Sequence, residues 1–149
     1  MLDYLAEATL YLDTAVYADG DLLADVVEVE RCCVVNRAGY IMSVVVLDYS
    51  SQAGALDLVF FRSNPGSLGT LNLPMTMTVA AAVEVVGWVS IVATDYAAFG
   101  TMRVAQPEFY PVKVRAAAGG SSLWLAAVSR DIKTYPTPQL LVKVGVEAS

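Results

Sequence analysis

Apolar and polar residues alternate along this chain in short runs, and clusters of Gly, Pro, Asn and Ser separate the runs. A period of two is the spacing of a half-buried strand, and its recurrence between turn signals marks a sandwich or barrel. In Leu140-Leu141-Val142-Lys143-Val144-Gly145-Val146-Glu147 every even position is apolar, while Lys143 and Glu147 mark the solvent face. Val112-Lys113-Val114-Arg115-Ala116 repeats the pattern. Three other runs, Tyr40 to Leu47, Leu56 to Phe61 and Leu123 to Val128, are apolar on both faces. Strands of that kind are covered on both sides, so a loop or a neighbouring subunit is expected over the face turned away from the core. The predicted core includes Val44, Val46, Leu56, Leu58, Phe60, Leu125, Val142, Val144 and Val146.

Turn chemistry falls at Asp19-Gly20-Asp21, Asn36-Arg37-Ala38-Gly39, Ser50 to Gly54, Asn64-Pro65-Gly66 and Gly119-Gly120-Ser121-Ser122, delimiting about nine strands. Asp48 is expected to close a strand into the turn after it. Residues 79–86 read as a short helix, Ala-rich, following a potential N-cap at Thr78 and stopping at Gly87. The β-branched Val79, Val83, Val85 and Val86 also suit a strand. The expected architecture is therefore all-β: one jelly-roll-like β-sandwich over residues 9–149, preceded by an N-terminal arm over residues 1–8 that a partner would order. At 149 residues a single domain is the natural size, with a core that needs no disulfide or metal staple.

Composition adds an argument for assembly. The apolar share of 56% exceeds that of an ordinary globular chain, and part of the surplus is expected to cover an interface. The net charge of −6 and pI near 4.4 argue against nucleic acid and anionic membranes as partners. Residues 1–30 hold eight of the fifteen acids and no Lys or Arg, whereas residues 101–149 hold six bases and three acids. This split, together with the apolar residues of the acidic segment, makes Leu2, Tyr4, Leu5, Leu10 and Leu12 candidates for contact between subunits. Arg103, Arg130 and Lys133 are the basic candidates, and the expected product is a homo-oligomer, trimer or dimer. Residues 74–94 are apolar enough to register as a membrane span, but Glu84 at their centre would cost roughly 2.5 kcal/mol or more there and no Lys or Arg flanks them. The start of the chain lacks the basic and apolar regions of a secretory leader, so synthesis in the cytoplasm is expected.

Candidate chemistry is sparse. The chain contains no histidine, which excludes Ser-His-Asp and Cys-His machinery and removes the commonest general base and metal ligand. No phosphate-binding loop or nucleophile elbow is present, and the carboxylates Asp48, Asp57 and Asp95 have no spacing that would pair them for glycoside hydrolysis. The expectation is a protein that is not an enzyme and needs no cofactor. Asp13, Asp19, Asp21 and Asp25 raise calcium, with Asp19 and Asp21 as weak candidate ligands, yet Asp-Gly-Asp lacks the further ligands of a calcium loop. Cys32 and Cys33 are adjacent, would point to opposite sides of a strand, and read as small buried hydrophobes. Trp88 and Trp124 lie within apolar runs and read first as core anchors, with an aromatic platform for a sugar as the alternative.

Three stretches carry a resemblance: Val16-Tyr17-Ala18-Asp19-Gly20-Asp21, the run from Val44 to Phe61 through Asp48-Tyr49-Ser50-Ser51-Gln52, and Leu123-Trp124-Leu125-Ala126-Ala127-Val128. In these the chain resembles small virion structural proteins of tailed bacteriophages, in particular head decoration or cement proteins. The resemblance implies a virion component on the head surface, with the major capsid protein as partner. Such a protein would stabilise the shell by bridging neighbouring capsid subunits, each small contribution multiplied by avidity over a repeating lattice. The alternative is a carbohydrate-binding module or a tail or fibre component.

Overall fold

The computed structural model describes residues 3–149, and of Asp3 only the backbone. Its ten strands are β1 (Asp3–Tyr11), β2 (Leu22–Val29), β3 (Gly39–Asp48), β4 (Leu56–Phe61), β5 (Val85–Ile91), β6 (Tyr96–Phe99), β7 (Met102–Ala105), β8 (Val112–Val114), β9 (Leu123–Ser129) and β10 (Gln139–Ala148), with one short helix, α1 (Val79–Ala82). They form two antiparallel sheets packed as a sandwich. The larger runs β1-β10-β3-β7-β6, with β8 on the edge of β3 that β7 leaves free; the smaller runs β2-β9-β4-β5. The first four strands alternate between the sheets, β5 pairs with β4, β6 to β8 return to the larger sheet, and β9 and β10 lie beside β2 and β1, which is the double Greek key of a jelly roll.

The period-two reading of the sequence holds where it was clearest. All nine residues of the predicted core are buried, and they belong to one cluster between the sheets. Gly20, Asn36, Ser51, Ala53, Gly66 and Gly119 take positive φ at the predicted turns. The fully buried Asp48 ends β3 as expected: its carboxylate accepts hydrogen bonds from the backbone N–H groups of Ser50 (2.9 Å), Gln52 (2.7 Å) and Ala53 (3.0 Å).

Three expectations need correction. Residues 3–8 are not an arm but most of β1, which pairs along its whole length with β10. Ala6, Ala8 and Leu10 alternate into the core, and this burial outweighs the freedom of a terminal segment. The helix is shorter than expected. Thr78 does cap it, its Oγ1 accepting from Ala81 N at 3.1 Å, but α1 ends at Ala82, and Val85 and Val86 enter β5 against β4. Gly87 is a strand residue whose missing side chain admits Val112; a Cβ there would fall 2.5 Å from Val112 Cγ1. Finally, Cys32 and Cys33 lie in the connection between β2 and β3, not in a strand, so both thiols enter the core and sit 3.7 Å apart. Their mutual hydrogen bond, then burial, pushes the Cys32 thiol up.

The two-sided strands of the smaller sheet are covered by the chain itself. Phe61, Ala126 and Leu22 on its outer face join Leu68 and Ala81 in a second cluster, under the loop between β4 and β5. Asp25 pins that loop, accepting from Leu68 N at 3.0 Å and from the Ser67 hydroxyl at 2.6 Å. Glu84, whose charge argued against a membrane span, forms a two-pronged ion pair with Arg62 (3.0 and 3.2 Å) at the end of the loop. Among the described residues no helix is long and apolar enough to cross a membrane.

Candidate functional site

The interface candidates of the N-terminal segment separate by parity along β1. Leu10 and Leu12 are buried in the chain's own core, and Tyr4 is half-buried against it. Leu5, by contrast, is 69% exposed on the outer face, joined by Glu7 and by Tyr11 at 63%. Leu2 lies outside the described residues. A residue's side of the strand, not the hydrophobicity of the segment, decides which apolar groups are free for a partner.

The basic candidates have partners within the chain. Arg130 binds Asp57 (Nε to Oδ2, 2.8 Å) and lies 3.6 Å from Asp19, and its hydrogen bond to Asp57 raises its pKa further. Asp57 also accepts from the Ser90 hydroxyl at 2.7 Å. Arg103 reaches Ser51 Oγ at 3.3 Å. For Lys133 the contact is of the backbone alone, its carbonyl accepting from Tyr17 N at 2.8 Å, and among the described residues its ammonium forms no ion pair. The two calcium candidates diverge: Asp21 turns inward and accepts from Ala18 N at 2.9 Å, while Asp19 points to solvent and Arg130. Among the described residues no three acidic, Cys or His side chains gather as a metal would need.

Polar groups inside the sandwich hold the fold. Burial foremost raises the pKa values of Tyr96 and Tyr135, seconded by Tyr135 and then Asp48 for Tyr96 and by Asp48 and Asp131 for Tyr135. Tyr96 donates to the Gly54 carbonyl at 2.9 Å, and Tyr135 packs edge-on against Tyr17 with centroids 6.1 Å apart. Tyr17 donates to Leu23 O and accepts from Asp13 N, and burial foremost raises its pKa. The Tyr17 and Tyr96 hydroxyls thus tie the segments at Asp13, Leu23 and Gly54 to the core.

Each sheet also carries apolar residues on its outward face. On the smaller sheet Trp88 is 63% exposed, contrary to its reading as a core anchor; its even position on β5 turns it outward. Trp88 borders a shallow depression with Met77, Val59 and Val128, rimmed by the Asp57–Arg130 pair. On the larger sheet a row of outward residues crosses five adjacent strands in register: Thr9, Leu141, Leu47, Val104 and Ala97. Val45 lies beside it, and the Glu7–Lys143 pair at 3.7 Å interrupts it with charge. The aliphatic members belong to neither buried cluster. The sequence signal for this surface was the two-sided apolar run of β3; what it lacked was the register that aligns Leu47 with Leu141 and Val104.

No family profile matches the chain, and no characterised protein matches it in sequence. A solved structure of infectious bursal disease virus, Gt strain, aligns with 97% of this chain and 39% of that one, at a TM-score of 0.21 and 10% identity. The chain thus spans about two fifths of that protein's length, and the similarity is too slight to bear on function.

Proposed function

We propose that this chain is a non-enzymatic structural component of a tailed-phage virion, which binds the outside of the head and stabilises it by bridging neighbouring major capsid subunits. The observation that carries the reading is the outward apolar row of Leu141, Leu47 and Val104 on the larger sheet, which neither buried cluster includes. An apolar row of half-buried side chains with sparse charge suits protein contact, since apolar surface left partly in water is stabilised when a partner covers it. The resemblance in the runs around Asp19-Gly20-Asp21, Val44 to Phe61 and Leu123 to Val128 supports a virion component, and the test below separates head from tail. No cofactor enters this reading. The test is addition of the protein to undecorated capsids: saturable binding at hundreds of copies per particle is expected. Leu47→Lys should abolish that binding while leaving the melting temperature within a few degrees. Failure to bind shells, or copy numbers of a few per virion, would move the protein to the tail.

Trp88 favours a second reading, a carbohydrate-binding or fibre module. An exposed indole beside hydrogen-bonding groups is the usual way a protein stacks on a sugar ring, and Asp57, Ser90 and Arg130 supply such groups. Glycan binding abolished by Trp88→Ala but not by Leu47→Lys would establish it.

A further inference from the structure

We infer that two copies of this chain join through the free edge of β1, antiparallel about a two-fold axis, with Leu5 of each copy opposite Tyr11 of the other. This does not depend on the capsid reading; it follows from the edge geometry of the larger sheet.

β1 is the end strand of its sheet, and among the described residues its backbone pairs on one side only, with β10. Leu12 N donates to Pro138 O in the same register, so the even residues of the strand direct their N–H and C=O groups at β10. In an antiparallel ladder these groups alternate in direction, which leaves those of Leu5, Glu7, Thr9 and Tyr11 pointing out of the free edge. Nine residues in unbroken register without a bulge make a long edge, and it lacks the Pro and Lys that commonly blunt one. The edge of β6, at four residues, is short, and β2 is interrupted by register shifts.

The charge and exposure of the same residues select the occupant and the register. A two-fold pairing must keep outward residues opposite outward residues, which leaves only registers stepped by two. One of them sets Glu7 against Glu7, a like-charge opposition that destabilises a ladder. Another sets Leu5 against Asp13 and leaves it without an apolar neighbour. The register between them sets Leu5 against Tyr11, the two large exposed apolar side chains of the strand, and does so twice. It also sets Glu7 against the Thr9 hydroxyl and Ala8 against Ala8 at the axis. Four hydrogen-bonded residue pairs result, with about eight backbone bonds. From Leu5 to Tyr11 the strand thus meets a copy of itself without acid facing acid; the same register brings Asp3 opposite Asp13, past the end of β1, where the Asp13 carboxylate already accepts from Asn72 Nδ2 at 2.7 Å. The assembly is a dimer where the sequence alone left trimer and dimer open.

The experiment is sedimentation of the full chain over a wide concentration range, combined with cysteine pairing. A two-copy mass is expected. A mixture of Leu5→Cys and Tyr11→Cys chains should form an intermolecular disulfide, because opposed residues of such a pair place their Cα atoms about 5.5 Å apart. Glu7→Cys alone should not, since it would face itself only in the rejected register. Thr9→Glu creates two acid oppositions per dimer and should raise the dissociation constant roughly tenfold. Adding Glu7→Lys to Thr9→Glu should restore dimerisation, which simple damage to the fold would not allow. A monomer at every concentration, a trimer, a dimer indifferent to Thr9→Glu, or cross-linking by Glu7→Cys in preference to the mixed pair would each overturn the inference.

Discussion

Replacing Asp48 with Ala removes a fully buried carboxylate that closes the turn between β3 and β4. Its two oxygens accept three backbone hydrogen bonds, from Ser50, Gln52 and Ala53, at 2.7 to 3.0 Å. Hydrogen bonds to charged groups are worth about 1.5–3 kcal/mol each, so the three set an upper limit of roughly 5–9 kcal/mol. Two effects reduce it. The carboxylate's own desolvation cost disappears with it, and the donors belong to half-buried residues that water can partly reach. Opposing this relief, Ser51 and Ala53 sit at φ of 55° and 51°, and without Asp48 that left-handed backbone has less to hold it. The expected loss is about 3–5 kcal/mol. For a chain of this length each kcal/mol moves the melting temperature by about 2–4 °C, so a fall near 10 °C is expected in calorimetry. Asp48→Asn keeps one acceptor oxygen but turns an amide donor toward backbone donors, and should fall between wild type and Ala. Asp19→Ala, which removes an exposed carboxylate 3.6 Å from Arg130, is the control and should cost below about 1 kcal/mol. If Asp48→Ala proved no more damaging than Asp19→Ala, the claim that this carboxylate holds the turn would be wrong.

Phe60→Ala empties a fully enclosed site on the inner face of β4, opposite Leu125 and Gly87, and should cost about 3–5 kcal/mol; a denaturant midpoint shift worth under about 1 kcal/mol would place Phe60 outside the core. Gly54→Ala brings a Cβ into collision with the hydroxyl of the buried Tyr135 and should destabilise by about 1–3 kcal/mol; thermal melts unchanged by this variant would count against that packing. Burial works to raise the Asp25 pKa, but its hydrogen bonds from Leu68, Ser67 and Val26 outweigh it and leave the carboxyl below its ordinary value. A carboxyl whose folded pKa is depressed stabilises the fold above its unfolded pKa, near 4, and that stability is lost as pH falls further; Asp25→Asn should therefore flatten the acid limb of a melting-temperature profile below about pH 4. Because Asp21 is engaged by Ala18 N and Asp19 by Arg130, EDTA should leave the melting temperature unchanged, and a clear fall would restore calcium as a ligand.

Much of this fold is legible in the sequence because strand identity is a local property. The alternation in Leu140 to Glu147 and the runs from Tyr40 to Leu47, Leu56 to Phe61 and Leu123 to Val128 each become strands, and their inner residues form the core. Turn chemistry is equally local, since Gly20, Gly66 and Gly119 need no tertiary context to tolerate positive φ. Pairing is not local. The alternation of Tyr4, Ala6, Ala8 and Leu10 with Asp3, Glu7 and Thr9 is visible in the sequence, but that the strand lies beside β10, at the far end of the chain, is not a local property. The contest between helix and strand at residues 79–86 was settled by β4, whose open edge offered Val85 backbone partners that a second helical turn could not match. The outward face of Trp88, the joint burial of Cys32 and Cys33, and the covering of Phe61 by a loop from its own chain likewise depend on groups distant in sequence. The surface row of Leu141, Leu47 and Val104 shows the division most plainly. Each residue is visibly apolar in the sequence, but only the register of three strands places them side by side, because hydrophobicity is a property of one residue and a surface is a property of their arrangement.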